Sequence, residues 1–302
     1  MPPIENATAS PSPVRLVVMA GDGIGPEITA ATLNSPDIHA IADEVFASIA
    51  AGRQITPFTS RAAGLTLDDA YRVTALLNGK REARGEKRVG RKIGFTNRTI
   101  WEEYKVYAPI WGHVYDSTVH DLSDRDSLPL AGFCEPRIEP EIVFGLASAP
   151  AADMDEAALL SCVAWVAHGF EIVHSIFPQW QFGAADTVAA NGVHGALLIG
   201  PRHRIGPRAA EWQMALSAFP IDLLCDGCLM DRGHATNVLG GPLSALRHLV
   251  GLLAYDAINP PLAAGEMVTT GTLTRALPVK SGETWSTALE GIAIDGIRLR
   301  FE

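Results

Sequence analysis

Three acids in this sequence stand where acids are costly. In Arg137-Ile138-Glu139-Pro140-Glu141-Ile142-Val143-Phe144, Glu139 and Glu141 are two residues apart. Side chains two apart on a strand share a face, so the pair lies side by side. The alternate positions, Ile138, Pro140, Ile142 and Phe144, have the character of a core face. Adjacent carboxylates raise one another's pKa unless a cation sits between them. Glu171 lies in the apolar run CVAWVAHGFEIVHSIF, where an unpaired charge is strongly unfavourable. Two readings are open. The three acids could converge on a hard divalent cation, Mg2+ or Mn2+, which prefers oxygen ligands. Alternatively, Glu139 and Glu141 face water and Glu171 pairs with an arginine. Spacing does not choose between them. Pro140 cannot donate to a ladder, so its strand is expected at an edge or near a bulge.

A cation with a suitable place is Lys92, in the strand-like GRKIGFT, where a lysine entering an interior needs an anion to face. The rest of the basic stretch from Lys80 to Lys92 reads as a solvated helix end. Cys225-Asp-Gly-Cys228 is a lone CxxC with no second pair to complete a zinc site. Asp-Gly favours a two-residue hairpin turn, and a turn is the expectation. GDGIGPEI at 21–28 resembles the first segment of the β-decarboxylating dehydrogenases. None of that family's later arginine, Tyr–Lys or aspartate signatures follows, and the spacing is not GxGxxG, so a glycine-rich turn is expected there.

These residues need elements to hold them. The periodicity predicts a helix over 38–51, with Ile38, Ile41, Ala42, Val45, Phe46 and Ile49 on one face. A second runs from about Thr66, a good N-cap, to Leu77. From the end of the basic stretch at Lys92 the pattern turns β-rich, in short runs separated by Gly, Pro, Asp and Asn. The expected organisation is an atypical, partly disordered N-terminal extension over 1–34, a helical part over 35–85 and a mixed-β catalytic domain over 86–302. With 302 residues, 47% of them hydrophobic, the chain can build a core. A net charge of −10 speaks against general nucleic-acid binding. Four cysteines are too few for a disulfide scaffold, and no apolar run reaches membrane-spanning length. A cytoplasmic protein is expected.

The order GRKIGFT, GHVYD, RIEPEIVFGLA, FEIVHS, ADTVAANG, GGPLSAL and VTTGTLTRALPVKSGE is similar to one known pattern, over about residues 38–302. It resembles the 2-keto-4-pentenoate hydratase and 4-oxalocrotonate decarboxylase branch of the fumarylacetoacetate hydrolase superfamily. That resemblance implies an α+β fold, a mixed β-roll or barrel-like sandwich with a small helical N-terminal part. It implies that Glu139, Glu141 and Glu171 hold Mg2+ or Mn2+ and that Lys92 is the lysine of the GRKxG motif. It implies hydration of 2-hydroxy-2,4-dienoates to 4-hydroxy-2-oxo acids through a metal-stabilised dienolate. The alternatives are decarboxylation of 4-oxalocrotonate-like oxo-diacids and a non-catalytic role beside a related lyase subunit. Homo-oligomers are expected. Asp116 and Asp186 become further candidates, as do Thr272, Thr274 and Arg275 of a loop that would meet a substrate carboxylate.

The departures from that pattern are informative. Where hydratases often read P-D-[FY]-G, this chain has Pro109-Ile110-Trp111-Gly112, so Ile110 replaces an acid. EIVDS reads EIVHS, giving His174; DTVADN reads DTVAAN, giving Ala190. His194 stands where a small residue is usual. Strand parity puts His174 opposite Glu171, so His194 has the better claim to the pocket. The NYxxHxxE-like segment of the hydrolase branch is absent, since FTNRTIWEEY stands there. The departures suggest an altered substrate or outcome with the metal retained.

Overall fold

The computed structural model describes residues 36–98, 101–104 and 106–302. GDGIGPEI lies outside them. The described chain from Pro36 to Glu302 forms one compact unit. It opens with helix α1 (Ile38–Ala51), capped by the Asp37 side chain accepting from the His39 and Ala40 amides and ended at Gly52. Helix α2 spans Leu67–Ala83, with Thr66 accepting from the Asp69 amide as N-cap. It runs one and a half turns past the predicted end, because Arg81 is held in the final turn by Glu86 and packs on the Tyr115 ring. The expected solvated basic stretch is therefore partly interior.

The larger sheet contains β1 (Arg88–Gly94), β2 (Ile110–Tyr115), β3 (Val119–Asp121), β5 (Arg137–Leu146), β6 (Val163–Val173), β7 (His194–Ile199) and β11 (Met267–Thr269). Their order is β2-β1-β11-β5-β6-β7-β3, with β8 (His203–Arg204) on β6 and β12 (Leu277–Pro278) on β5. The smaller sheet runs β10-β9-β13-β14-β4, made of β4 (Ser127–Leu128), β9 (Pro220–Cys225), β10 (Cys228–His234), β13 (Thr284–Leu289) and β14 (Arg298–Phe301). The β9–β10 turn places Asp226 at φ 49 and Gly227 at φ 80, the type I′ geometry expected of Asp-Gly. Both cysteines are free and face each other across it.

The two faces of β5 explain the architecture. Ile138, with Phe170, Ile172, Leu223, Trp285 and Leu299, forms a core between the two sheets. Ile142 and Phe144 join a second core with helix Pro242–Ala254. On the other face the larger sheet curls on itself. Val114, Val143, Ala167, Leu197 and Ile199, from β2, β5, β6 and β7, meet inside the curl. Glu139 and Glu141 share the face of Val143, further along the strand. One end of the curl is thus apolar and the other acidic. Helices α1 and α2 and the segment Ala184–Ala189 close the acidic end over Ile110, Ile176 and Phe177.

The strand carrying Glu139 and Glu141 is central, not an edge. Pro140 is tolerated because the ladder on its other side is interrupted between β11 and β12. The crossing loop is held by Leu273 donating to the Pro140 carbonyl. No described helix is long and apolar enough to cross a membrane.

Candidate active site

Register brings the acids together. Glu139 pairs directly with Glu171 across β5 and β6, so both point to the same face. Lys92 pairs with Thr269 and Thr269 with Val143, which carries that face across to β1. Carboxylate oxygens of Glu139, Glu141 and Glu171 lie within 4.8 Å of one another, the one such cluster among the described residues. Glu141 and Glu171 are fully buried, and Lys92 is 3% exposed.

The charges do not balance. Lys92 Nζ stands 3.1 Å from Glu171 Oε2, and His194 Nδ1 lies 2.7 Å from Glu171 Oε1. Glu141 Oε2 accepts from the Gly271 amide at 2.8 Å. One ammonium faces three carboxylates. Burial pushes Glu139 up to about 7 despite the attraction of Lys92. Burial, and then repulsion from Glu171 and Glu139, pushes Glu141 well above the carboxylate range. Burial also acts against ionised Glu171, but Lys92 and His194 outweigh it and hold that group low. Glu141 Oε1 has no hydrogen-bond partner, and Glu171 Oε2 has only the Lys92 ammonium beside it. An orphaned carboxylate oxygen in a buried cluster of three acids and one ammonium fits a hard divalent cation, which takes oxygen ligands and relieves the repulsion.

A cavity of about 280 Å³ opens beside this cluster. Lys92, Glu139 and Glu141 line its floor, and Phe95, Ile110, Trp180, Phe182, Val193 and Leu277 supply apolar walls. Arg137, Thr272 and Arg275 also reach it. Arg137 lies over the Trp180 ring at 4.2 Å, and Arg275 pairs with Asp231 at 3.1 Å. Phe95, Trp180 and Val193 adopt positive φ of 54°, 58° and 57°. Such conformations are strained for bulky side chains and persist where the surroundings enforce them.

Asp116, Asp186, Thr274 and His194 lie outside the lining of this cavity. Asp116 is exposed and accepts from the Lys87 amide, outside the cavity lining. Asp186 is buried but accepts from the Thr59 and Gly183 amides, bracing the Ala184–Ala189 helix. Thr274 turns its hydroxyl to the Arg275 carbonyl, and Thr272 turns its own to the Thr274 carbonyl, so these hydroxyls shape the loop. His194 stands behind Glu171, where it borders a second cavity of about 200 Å³ instead of the first. His174 packs edge-on to Phe133 and accepts from the Cys134 amide. Arg137 had a legible signal, since it lies two residues before Glu139 on the same face. Trp180 and Phe182 had none, because loop backbone places them.

Comparison with known proteins decides the family. The chain is 30% identical to a 2-hydroxyhexa-2,4-dienoate hydratase of Comamonas testosteroni over 257 residues, 84% of this chain and 94% of that one. The chain belongs to the 2-keto-4-pentenoate hydratase family. A 2-keto-4-pentenoate hydratase of Burkholderia vietnamiensis is also 30% identical, over 80% of this chain and 90% of that one. No family model matches the chain. Among solved structures, the 4-oxalocrotonate decarboxylase of Pseudomonas putida G7 with magnesium and adipate has a TM-score of 0.79 at 24% identity, covering 88% of this chain and 97% of that one. Fumarylpyruvate hydrolase from Pseudomonas aeruginosa, with Mn2+ and pyruvate, has a TM-score of 0.52 at 15% identity over 71% of this chain and 89% of that one. These likenesses show the α+β fold.

Proposed function

We propose that this chain is a Mg2+- or Mn2+-dependent lyase that hydrates 2-hydroxy-2,4-dienoates, or their 2-oxo tautomers, to 4-hydroxy-2-oxo acids. Glu139, Glu141 and Glu171 would hold the ion, which when bound supplies a Lewis acid for the carboxylate and 2-oxo oxygens of such a substrate. The observation that carries the reading is the buried convergence of three carboxylates on one ammonium, with Glu141 Oε1 left without a hydrogen bond, in a chain whose hydratase relatives span most of its length.

The chain's own residues supply the rest. Lys92 contributes fixed positive charge near negative charge developing on the substrate, in a site of low dielectric. Its ammonium can also pass a proton, being within reach of both the cavity and Glu171. Phe95, Trp180 and Phe182 exclude bulk water and present flat apolar surface to a conjugated chain. Ile110 adds to that apolar wall where an acid would otherwise stand. Thr272 and Arg275 form the far end, with the guanidinium oriented by Asp231.

A second reading rests on Ile110 and Arg137. Without an acid at 110, and with a guanidinium on the cavity rim, an oxo-diacid could seat its distal carboxylate and lose it as carbon dioxide. Incubation with 2-hydroxypenta-2,4-dienoate and with 4-oxalocrotonate separates the two. Hydration predicts loss of diene absorbance and formation of 4-hydroxy-2-oxopentanoate. Carbon dioxide release from the diacid, with no turnover of the dienoate, would replace hydration with decarboxylation. A homo-oligomer in the cytoplasm, and association with a related lyase subunit, belong to the same proposal. Size-exclusion chromatography with light scattering and co-purification test them.

A further inference from the structure

We infer that His194 is a positioning residue for Glu171, fixing one carboxylate oxygen so that only the other is offered to a divalent cation. This rests on the metal reading above. A carboxylate can only accept, so the His194 Nδ1 that lies 2.7 Å from Glu171 Oε1 carries the hydrogen. The opposite nitrogen, Nε2, lies 2.9 Å from the Thr118 hydroxyl, whose one hydrogen is shared between that nitrogen and the Tyr115 carbonyl. His194 does not line the cavity that holds Lys92 and Glu139. It therefore acts through Glu171, not on substrate.

The backbone is built to deliver this ring. Glu171 pairs with Leu197 and Ile172 with Ala196, but Val173 pairs with His194. Gly195 is the extra residue of a β-bulge. Uninterrupted alternation would put residue 194 on the face of Ala196 and Leu198, in the core between the sheets. The bulge reverses that parity and turns His194 to the face of Glu171. Just before it, Asn191, Gly192 and Val193 have φ of 55°, 64° and 57°. Three consecutive left-handed residues are costly, and β-branched Val193 most of all. The turn is held by Asn191, whose amide side chain bonds both the nitrogen and the oxygen of His113 on β2, at 2.8 and 2.9 Å. A Cβ on Gly192 would come 2.9 Å from Lys92 Cδ, so glycine lets the lysine pass beneath the same turn. One strained turn thus sets Lys92 and His194 against the two oxygens of Glu171.

The test is Mn2+ titration of the metal-free full chain, followed by the paramagnetic resonance of free Mn2+ and by calorimetry. His194→Ala should weaken Mn2+ binding by about 10–100-fold, as loss of a residue supporting a metal ligand does. His194→Asn puts an amide nitrogen on Cγ, where Nδ1 stands, and should recover most of the affinity. His194→Gln reaches towards the Thr118 side and should not. Far-ultraviolet circular dichroism checks each fold, and the Asn and Gln pair decides even where the alanine variant is unstable. Equal affinity in the unaltered and His194→Ala chains, or rescue by Gln and not Asn, overturns this role alone. Absence of Mn2+ binding by the unaltered chain overturns the metal site as well.

Discussion

Arg91 and Lys92 are neighbours on one strand, both buried, and they face opposite sides of the sheet. Arg91 meets Glu266 at 3.0 Å and the Pro260 carbonyl at 3.3 Å, with Arg88 at 3.6 Å from the same acid. Glu266 has its second oxygen on the Ala263 amide, so both of its oxygens are engaged. Lys92 faces three carboxylates, of which Glu141 keeps an oxygen without a hydrogen bond. The first cluster has one acid between two guanidiniums. The second has an excess of acid that burial makes unfavourable. Burial alone therefore does not mark a site. What separates a structural ion pair from a candidate metal centre is an excess of acid together with an unused carboxylate oxygen beside a cavity.

That contrast can be broken by exchanging what each cluster loses. Glu141→Gln should lower kcat/KM for the dienoate by at least about 10³-fold, since the several kcal/mol of Lewis-acid stabilisation go with the ion. Glu266→Ala should leave turnover per folded molecule close to unchanged while destabilising the chain by about 3–5 kcal/mol in urea titrations, because it strands Arg91. A reversed pattern would erase the distinction.

A third outcome concerns the opposite side of the sheet. His168 bridges β6 to the Glu141 carbonyl and to Thr287 of the smaller sheet, at 2.9 Å each. Burial pushes its pKa down to about 4, against the hydrogen bond to the Glu141 carbonyl. The unfolded chain then binds the extra proton first. Stability present above about pH 6.5 should fall as pH drops towards 4, by up to about 3 kcal/mol. Denaturant midpoints at pH 7 and 5 measure this, and His168→Gln should flatten the slope. The smallest effect has the opposite sign. In EDTA, Glu141→Gln should stabilise the metal-free chain by about 1–2 kcal/mol, because a neutral amide is spared the cost of protonating or burying that acid on folding. Mg2+ should raise the Tm of the unaltered chain and not of the variant.

Strand periodicity makes much of this legible. The i, i+2 spacing puts Glu139 and Glu141 on one face, and the apolar surroundings of Glu171 and Lys92 require partners for both. Asp-Gly specifies its own turn, and the caps of α1 and α2 read directly. What escapes is long-range. That Pro140 sits in a central strand depends on a break between β11 and β12, two elements more than 120 residues away. Parity fails at His194 because a bulge is a defect in parity. Asp116 and Asp186 look chemical by type, yet each is consumed by backbone amides that only the fold brings near. Trp180 and Phe182 take their places from strained loop backbone, which composition does not encode.

The central claim is that a divalent ion on Glu139, Glu141 and Glu171 is needed for hydration. The direct measurement is turnover of 2-hydroxypenta-2,4-dienoate by the full chain after exhaustive EDTA treatment and again after Mg2+ is restored. The expected result is loss of activity and its return with Mg2+. Full turnover in EDTA would contradict it.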